Sequence, residues 1–461
     1  MTENESTFRA KSTIKSADLD HRQKINYNIG KYNAAVPMGK QQFADNNLVK
    51  ERAKNIKWRA IEHLDTHLEQ FEKNFTARGG KVIWAQNSQE ALDEILSICK
   101  GKNCKTIVKS KSMVTEEIHL NQFLEKNGIE SIETDLGEYI QQLDGEPPYH
   151  IVTPAMHKSK EDVAKLFEEK LGVPSKLSPS ELTLIAREKL RKKYVEAEIG
   201  ITGANFLISD IGGIALTENE GNARLSTAWP KTHIVVVGIE KMIPSVNDLA
   251  LMWPLLSTYG TGQKMTVYSS IITGPCQPSE SDGPEEMYVV LLDNNRTNIL
   301  GNPKQRESLY CIRCGACLNV CPVYKNIGGH AYGTTYSGPI GSVISPNLNG
   351  MEEYKHLSYA SSLCGACTEV CPVKIPIHEL LFDNRHTSVE EGMTTFSEKM
   401  FWKMWKITSL KRSWMNMGKG PLKTKLVNSL FKDWNRHHSP LQFSPKTFNQ
   451  MWKERDSVKN K

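Results

Sequence analysis

Several absences narrow this chain before any motif is read. It has no apolar run long enough to cross a bilayer as a helix. Its opening stretch, MTENESTFRAKSTIKSADLD, has neither the basic start nor the apolar centre of a secretory signal, so the chain reads as cytoplasmic. No G-x-G-x-x-G turn follows a strand, which leaves NAD or flavin binding unsupported. Neither charge sign is in large excess: the formal net charge is +6 in 461 residues. With no helix-turn-helix and no basic repeat, a nucleic-acid partner is not expected. Paired, disulfide-like cysteines are also missing. Of ten cysteines, seven crowd into two short runs, an odd set that argues for metal in a cytoplasmic chain. Cys99 ends the amphipathic run QEALDEILSICK and Cys104 opens a strand, so both read as small buried apolar residues. Cys276, in the turn-rich TGPCQPSES, stays a further ligand candidate.

One more absence is a single cysteine. CIRCGACLNVCP, from Cys311 to Pro322, and SSLCGACTEVCP, from Ser361 to Pro372, are one motif used twice, and Ser361 stands where the second copy should begin with cysteine. The first copy is the C-x2-C-x2-C-x3-C-P run of bacterial ferredoxins. Three thiolates on one short loop reach three irons of a cubane, and the fourth cysteine points to the other cluster. Gly315 lets the backbone pass close by, and Pro322 opens a helix where its missing N–H costs little. Structural zinc fits less well, because it favours two separated C-x2-C pairs. Crossed ligation gives Cys311, Cys314, Cys317 and Cys371 to the first cluster, a complete [4Fe–4S] set. Cys321, Cys364 and Cys367 go to the second. Three outcomes are open for the second cluster. It is a [4Fe–4S] with a serine, histidine, water or substrate ligand, or a [3Fe–4S], or a site completed by a cysteine such as Cys276. The layout is similar to that of succinate dehydrogenase iron–sulfur subunits, by analogy alone.

Residues 1–75 read as a helical extension, residues 76–300 as an α/β domain, 301–385 as a two-cluster region and 386–461 as a basic tail. In the second part, KVIWAQ, KTIVKS, IESIETD and HIVTPA read as strands. Between them, SQEALDEILSICK reads as a helix capped by Ser88, and VTEEIHLNQFLEKNG as one helix closed by Gly128. This alternation predicts a parallel sheet covered on both faces. A charged helical segment spans 159–199. From Gly203 to Pro244 several strands follow, with turns at Gly212-Gly213 and Glu220-Gly221. HIVVVGI is apolar enough for a central strand, and MYVVLLDN closes the domain near residue 300. Between the cysteine runs, NIGGHAYGTTYSGPIGSVISP offers His330, Tyr332 and Tyr336 either as hydrogen-bond donors to a cluster or ligand or as a packed lid; His378 reads as packing. In the tail, Phe401, Met404 and Trp405 share one helical face, with Lys399, Lys403 and Lys406 on the other. No acidic residue occurs from Lys399 to Lys432, and the tail is expected to end in disorder.

Four stretches together, ISDIGGIALTENEGNARL, CIRCGACLNVCPVY, GGHAYGTTYSGPIG and LCGACTEVCPVKIPIHELL, resemble the lactate utilization protein B family of bacteria, over essentially all the sequence from about residue 20. The resemblance implies a LUD-type Rossmannoid α/β domain, similar to phosphosugar-isomerase and CoA-transferase-like folds. An α-helical ferredoxin-like two-cluster domain and a helical tail would follow. The family shares the seven-cysteine pattern. The implied role is an iron–sulfur electron-transfer subunit in the oxidation of L-lactate to pyruvate. Its implied partners are lactate utilization proteins A, a cysteine-rich iron–sulfur protein, and C, a small LUD protein. The competing reading makes the LUD-like domain itself a catalytic or carboxylate-binding site. There the fork of Arg224 would hold a carboxylate, while Glu218 and Glu220 read as charges of a solvated turn.

Overall fold

The expected alternation of strands and helices is present in this computed structural model, which describes residues 2–435 and 438–459. The strands are β1 (Lys81–Ala85), β2 (Thr106–Lys109), β3 (Glu130–Glu133), β4 (Ile199–Thr202), β5 (Phe206–Ile208), β6 (Gly213–Glu218), β7 (Thr232–Gly238), β8 (Met242–Ile243), β9 (Tyr268–Ile272) and β10 (Glu286–Leu292). Six of them form one sheet in the order β1-β10-β7-β4-β2-β3, with every neighbouring pair parallel. The run THIVVVG forms β7, third in that order, and all seven of its residues are buried, as a strand covered on both faces requires. Gly200 on β4 is dictated by packing: a Cβ there would lie 1.8 Å from the Ser226 carbonyl of the helix Asn222–Ala228. The other four strands form a smaller sheet, β8-β5-β6-β9, folded out of the connections from β4 to β7 and from β7 to β10.

Four local expectations differ from the structure. HIVTPA is not a strand, because the His150 imidazole accepts from the backbone N–H groups of Val152 and Thr153, and the Tyr149 N–H donates to the Pro154 carbonyl, curling the segment into a loop. The helix after β1 is capped by Asn87, whose side chain accepts from the Glu90 N–H, rather than by Ser88. VTEEIHLNQFLEKNG breaks into two helices, Met113–Glu117 and Leu120–Lys126, at His119, which has a φ of 54°. Residues Asn222–Ala228 are helical rather than extended. Gly221 enters that helix at φ 80°, and Glu218 accepts from the N–H groups of Ala223 and Arg224.

The sheet buries separate apolar layers on its two faces, one including Ile95, Ile107 and Val236, the other Phe71, Phe75 and Val235. The largest core lies elsewhere. Ile25 and Ile29 of the helix Leu19–Lys40, Ile56 of Asn46–Glu62, Phe206 and Ile243 of the small sheet, and Leu255 of Leu249–Thr261 pack with Cys314, Cys317, Leu318 and Tyr324. The amino-terminal helices and the cysteine motifs therefore share one hydrophobic core. Among the described residues from 296 to 388 there are only helices and loops.

Residues 1–388 form one compact unit and residues 389–461 a second. Taken by itself, the second unit carries the helix Phe396–Leu410, in which no residue is buried; Trp402 and Trp405 are more than half exposed. The end expected to be disordered contains the helix Phe448–Lys459, and the last two residues lie outside the described ones. No helix among the described residues is long and apolar enough to cross a membrane.

Candidate iron–sulfur sites and an adjoining cavity

The two cysteine motifs adopt the same backbone. Gly315 and Gly365 turn through φ 77° and 80° into the short helices Ala316–Val320 and Ala366–Val370, which pack on each other. Two residues before each glycine, Arg313 and Leu363 are held in the same left-handed region, at 61° and 53°. The Arg313 N–H donates to Cys311 Sγ at 3.4 Å, and the Leu363 N–H donates to Ser361 Oγ at 3.1 Å. Ser361 is thus the structural counterpart of Cys311, with its oxygen where the first motif has sulfur.

The structure brings the seven cysteines together in two groups. Cys311, Cys314, Cys317 and Cys371 line one small cavity, closed by Ile312, Ile340 and Ile375. Burial pushes the Cys371 thiol up to about 12, aided by Cys311, and drives Cys314 upward with Cys371 and Cys311 adding, and Cys317 upward with Cys311, Cys314 and Cys371 adding. Cys321, Cys364 and Cys367 form the other group. Burial and then the neighbouring Cys321 push Cys367 up to about 11. The residues fit an iron–sulfur group: soft sulfur donors converge in an apolar pocket, with backbone N–H groups donating to Cys311, Cys321 and Cys371 at 3.4–3.5 Å. The first set is largely buried, whereas Cys364 is exposed and Ser361 half-buried. Cys276 is placed with neither set; its thiol faces the Gln277 and Glu280 carbonyls. Cys99 and Cys104 are buried, as expected for apolar packing. His330, Tyr336 and His378 also act as packing groups, bonded to the Pro147 carbonyl, Glu117 and Thr368 respectively. The buried Tyr332 ring sits edge-on to Phe8.

The match between Ser361 and Cys311 gives a direct test. A Ser361→Cys chain is expected to keep its second cluster in air longer than the parent, read as slower growth of an oxidised three-iron EPR signal. Equal rates in both chains would remove Ser361 from the open corner.

A buried ionic network ties the first motif to the sheet. Arg296, 1% exposed, donates through Nε to Glu240 at 2.6 Å and through both terminal nitrogens to Glu117 at 2.8 and 2.9 Å. Glu117 also accepts from the Tyr336 hydroxyl at 2.6 Å, and Arg313 lies over the Tyr336 ring with its Nη2 3.5 Å from Glu240. Burial alone would raise Glu240, but Arg296, Arg313 and Lys241 outweigh it and hold the carboxyl at about 2.

A second, larger cavity of about 410 Å³ opens at the carboxyl ends of β2 and β4. Its walls include Ser110–Ser112 after β2, Gly203–Asn205 after β4, and Ile312–Cys314 of the first cysteine motif. Lys241 lines it while only 7% exposed, and among the described residues its ammonium has no hydrogen-bond or ion-pair partner. Burial, then Arg313, lower Lys241 to about 8. Asp135, Glu218 and Glu220 also line the cavity. The two glutamates are not simply solvated: Glu218 takes two backbone N–H groups, and Glu220 accepts from the Leu136 N–H at 3.1 Å. Burial, then Asp135, raise Glu220 to about 7. Arg224 is not in the lining. Its guanidinium lies 5.5 Å from the Tyr268 ring centroid, with Nη1 3.5 Å from Ser270 Oγ. Lys111 and Arg313 line the cavity too, but the cation without a bonded partner is Lys241, which sequence reasoning missed; its one visible signal is a Glu-Lys pair inside the otherwise apolar GIEKMIP.

Comparison with known proteins bears on both halves. Residues 68–292 match the LUD domain and residues 307–375 the 4Fe-4S dicluster domain. Lactate utilization protein B of Bacillus licheniformis is 51% identical, covering 79% of this chain and 77% of its own. That of Bacillus subtilis is 50% identical over 79% of this chain and 77% of its own. The protein from Geobacillus thermodenitrificans is 50% identical over 82% and 79%. The expected fold class, a LUD-type α/β domain followed by a helical two-cluster region, holds. An iron–sulfur region joined to a LUD domain, with half its residues shared over most of the chain, places this chain in the lactate utilization protein B family.

Proposed function

We propose that this chain is the iron–sulfur electron-transfer subunit of a complex that oxidises L-lactate to pyruvate and so allows growth on lactate. The observation that carries this reading is the arrangement of the cysteines: one set buried against a cavity, the other reaching the surface at Cys364. When bound, the clusters supply one-electron acceptance, which suits a two-electron oxidation handled in single steps. We assign Cys311, Cys314, Cys317 and Cys371 to a [4Fe–4S] cluster. To Cys321, Cys364 and Cys367 we assign either a [4Fe–4S] with a non-cysteine ligand or a [3Fe–4S]. In this reading the protein's contribution is to fix the two sets in series and to shield the inner one. The partners are proteins of the lactate utilization A and C types, and the chain alone does not oxidise lactate.

Deleting the chain from a host with no other lactate dehydrogenase is expected to abolish growth on L-lactate while growth on pyruvate persists. Unimpaired growth on lactate would sink the reading. We also propose that the exposed Trp- and Met-bearing helix Phe396–Leu410 contacts a partner protein. In the same strain, a chain ending at residue 388 is expected to keep both clusters and fail to restore growth. Tail-dependent, salt-sensitive flotation of the intact protein with anionic liposomes would instead make the tail a peripheral membrane contact at the cytoplasmic face.

A further inference from the structure

In an open parallel sheet, ligands settle where neighbouring strands send their connections in opposite directions. Here that point lies between β2 and β4. From β2 the chain moves outward to β3 at one edge; from β4 it moves the other way, through the small sheet, to β7. The loops leaving these two strands, Ser110–Ser112 and Gly203–Asn205, both line the larger cavity.

One cation there lacks a bonded partner, and a second, Arg313, is paired with Glu240 through Nη2 alone. Lys241 is more than nine-tenths buried and, among the described residues, bonds to nothing. Arg313 Nη1 is likewise buried without a hydrogen-bond partner. An unpaired buried charge is costly unless something compensates it. The first cluster, with its thiolates, is one candidate. The linings separate the two roles: Arg313 borders both the cysteine cavity and the larger one, whereas Lys241 borders only the larger. Lys241 therefore faces a space the cluster does not fill. The acidic members of the lining are engaged elsewhere, Glu218 with the backbone N–H groups of Ala223 and Arg224, Glu220 with that of Leu136 and Asp135 with that of Glu138. Ile312 and Cys314 form the wall between the two spaces.

We propose that this cavity binds a small organic carboxylate, a short 2-hydroxy or 2-oxo acid, with its carboxylate on Lys241 and Arg313, directly against the first cysteine set. The demand for an anion comes from the cavity; the choice of 2-hydroxy and 2-oxo acids rests on the lactate reading above. The proposal concerns binding alone, so it needs no acceptor that the chain lacks.

The test is calorimetric titration of the anaerobic, cluster-loaded protein with L-lactate, pyruvate and inorganic phosphate. L-Lactate or pyruvate is expected to bind. Lys241→Met, which keeps the volume and removes the charge, is expected to weaken binding roughly tenfold or more, as loss of a charge-assisted hydrogen bond predicts. Lys241→Arg is expected to retain most of it, and iron content and visible spectrum should match the parent in both variants. Binding of phosphate in preference to both acids would overturn the carboxylate assignment. No binding of any of the three, or equal binding by the Lys241→Met chain, would overturn the site. The growth experiment is independent: lost growth with no binding removes this proposal and leaves the subunit role. Binding with unimpaired growth does the reverse.

Discussion

A Cys314→Ala chain purified without oxygen is expected to lose about four of the roughly seven to eight irons that two clusters require, while the second set keeps its own. The reasoning is geometric. Cys314 is one of four thiols lining the small cavity, and the rest of the lining is apolar residues such as Ile312, Ile340 and Ile375 together with Arg313, none of which offers a replacement thiolate. Cys321, Cys364 and Cys367 are grouped apart from it. Iron analysis and EPR of the reduced protein would show one signal gone and one retained. Loss of both signals together would mean that the two sites are not separately held. Zinc in place of iron in the parent protein would defeat the iron–sulfur reading altogether.

An Arg296→Met chain is expected to be destabilised by about 3–5 kcal/mol, the range for removing one partner of a buried ion pair. Arg296 sits between two carboxylates, Glu117 and Glu240, that are themselves 4% and 1% exposed, so the substitution strands Glu117 and leaves Glu240 with only the more distant Arg313. The loss should also alter the acid limb of stability. Glu240 is held at about 2, below the 4.5 of an unperturbed glutamate. Its stabilising contribution is therefore complete above about pH 4.5 in the parent and disappears as pH falls toward 2. Without Arg296 the carboxyl titrates higher, and acid unfolding should begin at a higher pH. Urea midpoints measured between pH 3 and 7 would report both effects. A stability within 1 kcal/mol of the parent would mean that the network is dispensable.

The cysteine sites were legible because their geometry is local. Cysteines three residues apart on a loop that reverses at Gly315 can only converge, and the repeated spacing from Ser361 to Cys371 supplies the partner set. The central strand β7 was legible for a similar reason, since THIVVVG admits no polar face. The rest depends on contacts remote in sequence. HIVTPA has the composition of a strand, but the His150 imidazole gives the Val152 and Thr153 N–H groups a partner within the segment, and the Pro154 carbonyl takes the Tyr149 N–H just before it. Arg296 lies in DNNRTNIL, where nothing signals that Glu117, 179 residues earlier, will meet it. Arg224 is the sequence's candidate for a carboxylate, and Lys241 is not among its candidates. Only the fold turns the first toward Tyr268 and the second into an internal space.

The shared core of the amino-terminal helices and the cysteine region has a consequence for how the protein is made. The helix Glu3–Ala17 packs against Met351–Tyr359, and Thr2 hydrogen-bonds to the Glu353 carbonyl across 351 positions of chain. On the ribosome the first helices emerge with no partner and wait until most of the protein has been synthesised. Closing so long a loop is entropically costly, and pairings this distant fold slowly. Ile25, Ile29 and Ile56 stay uncovered for that interval, a stretch of biogenesis in which a chaperone has something to hold. The thiols of Cys314 and Cys317 belong to the same late-forming core. The packing around them is therefore completed only when the amino-terminal helices have joined it.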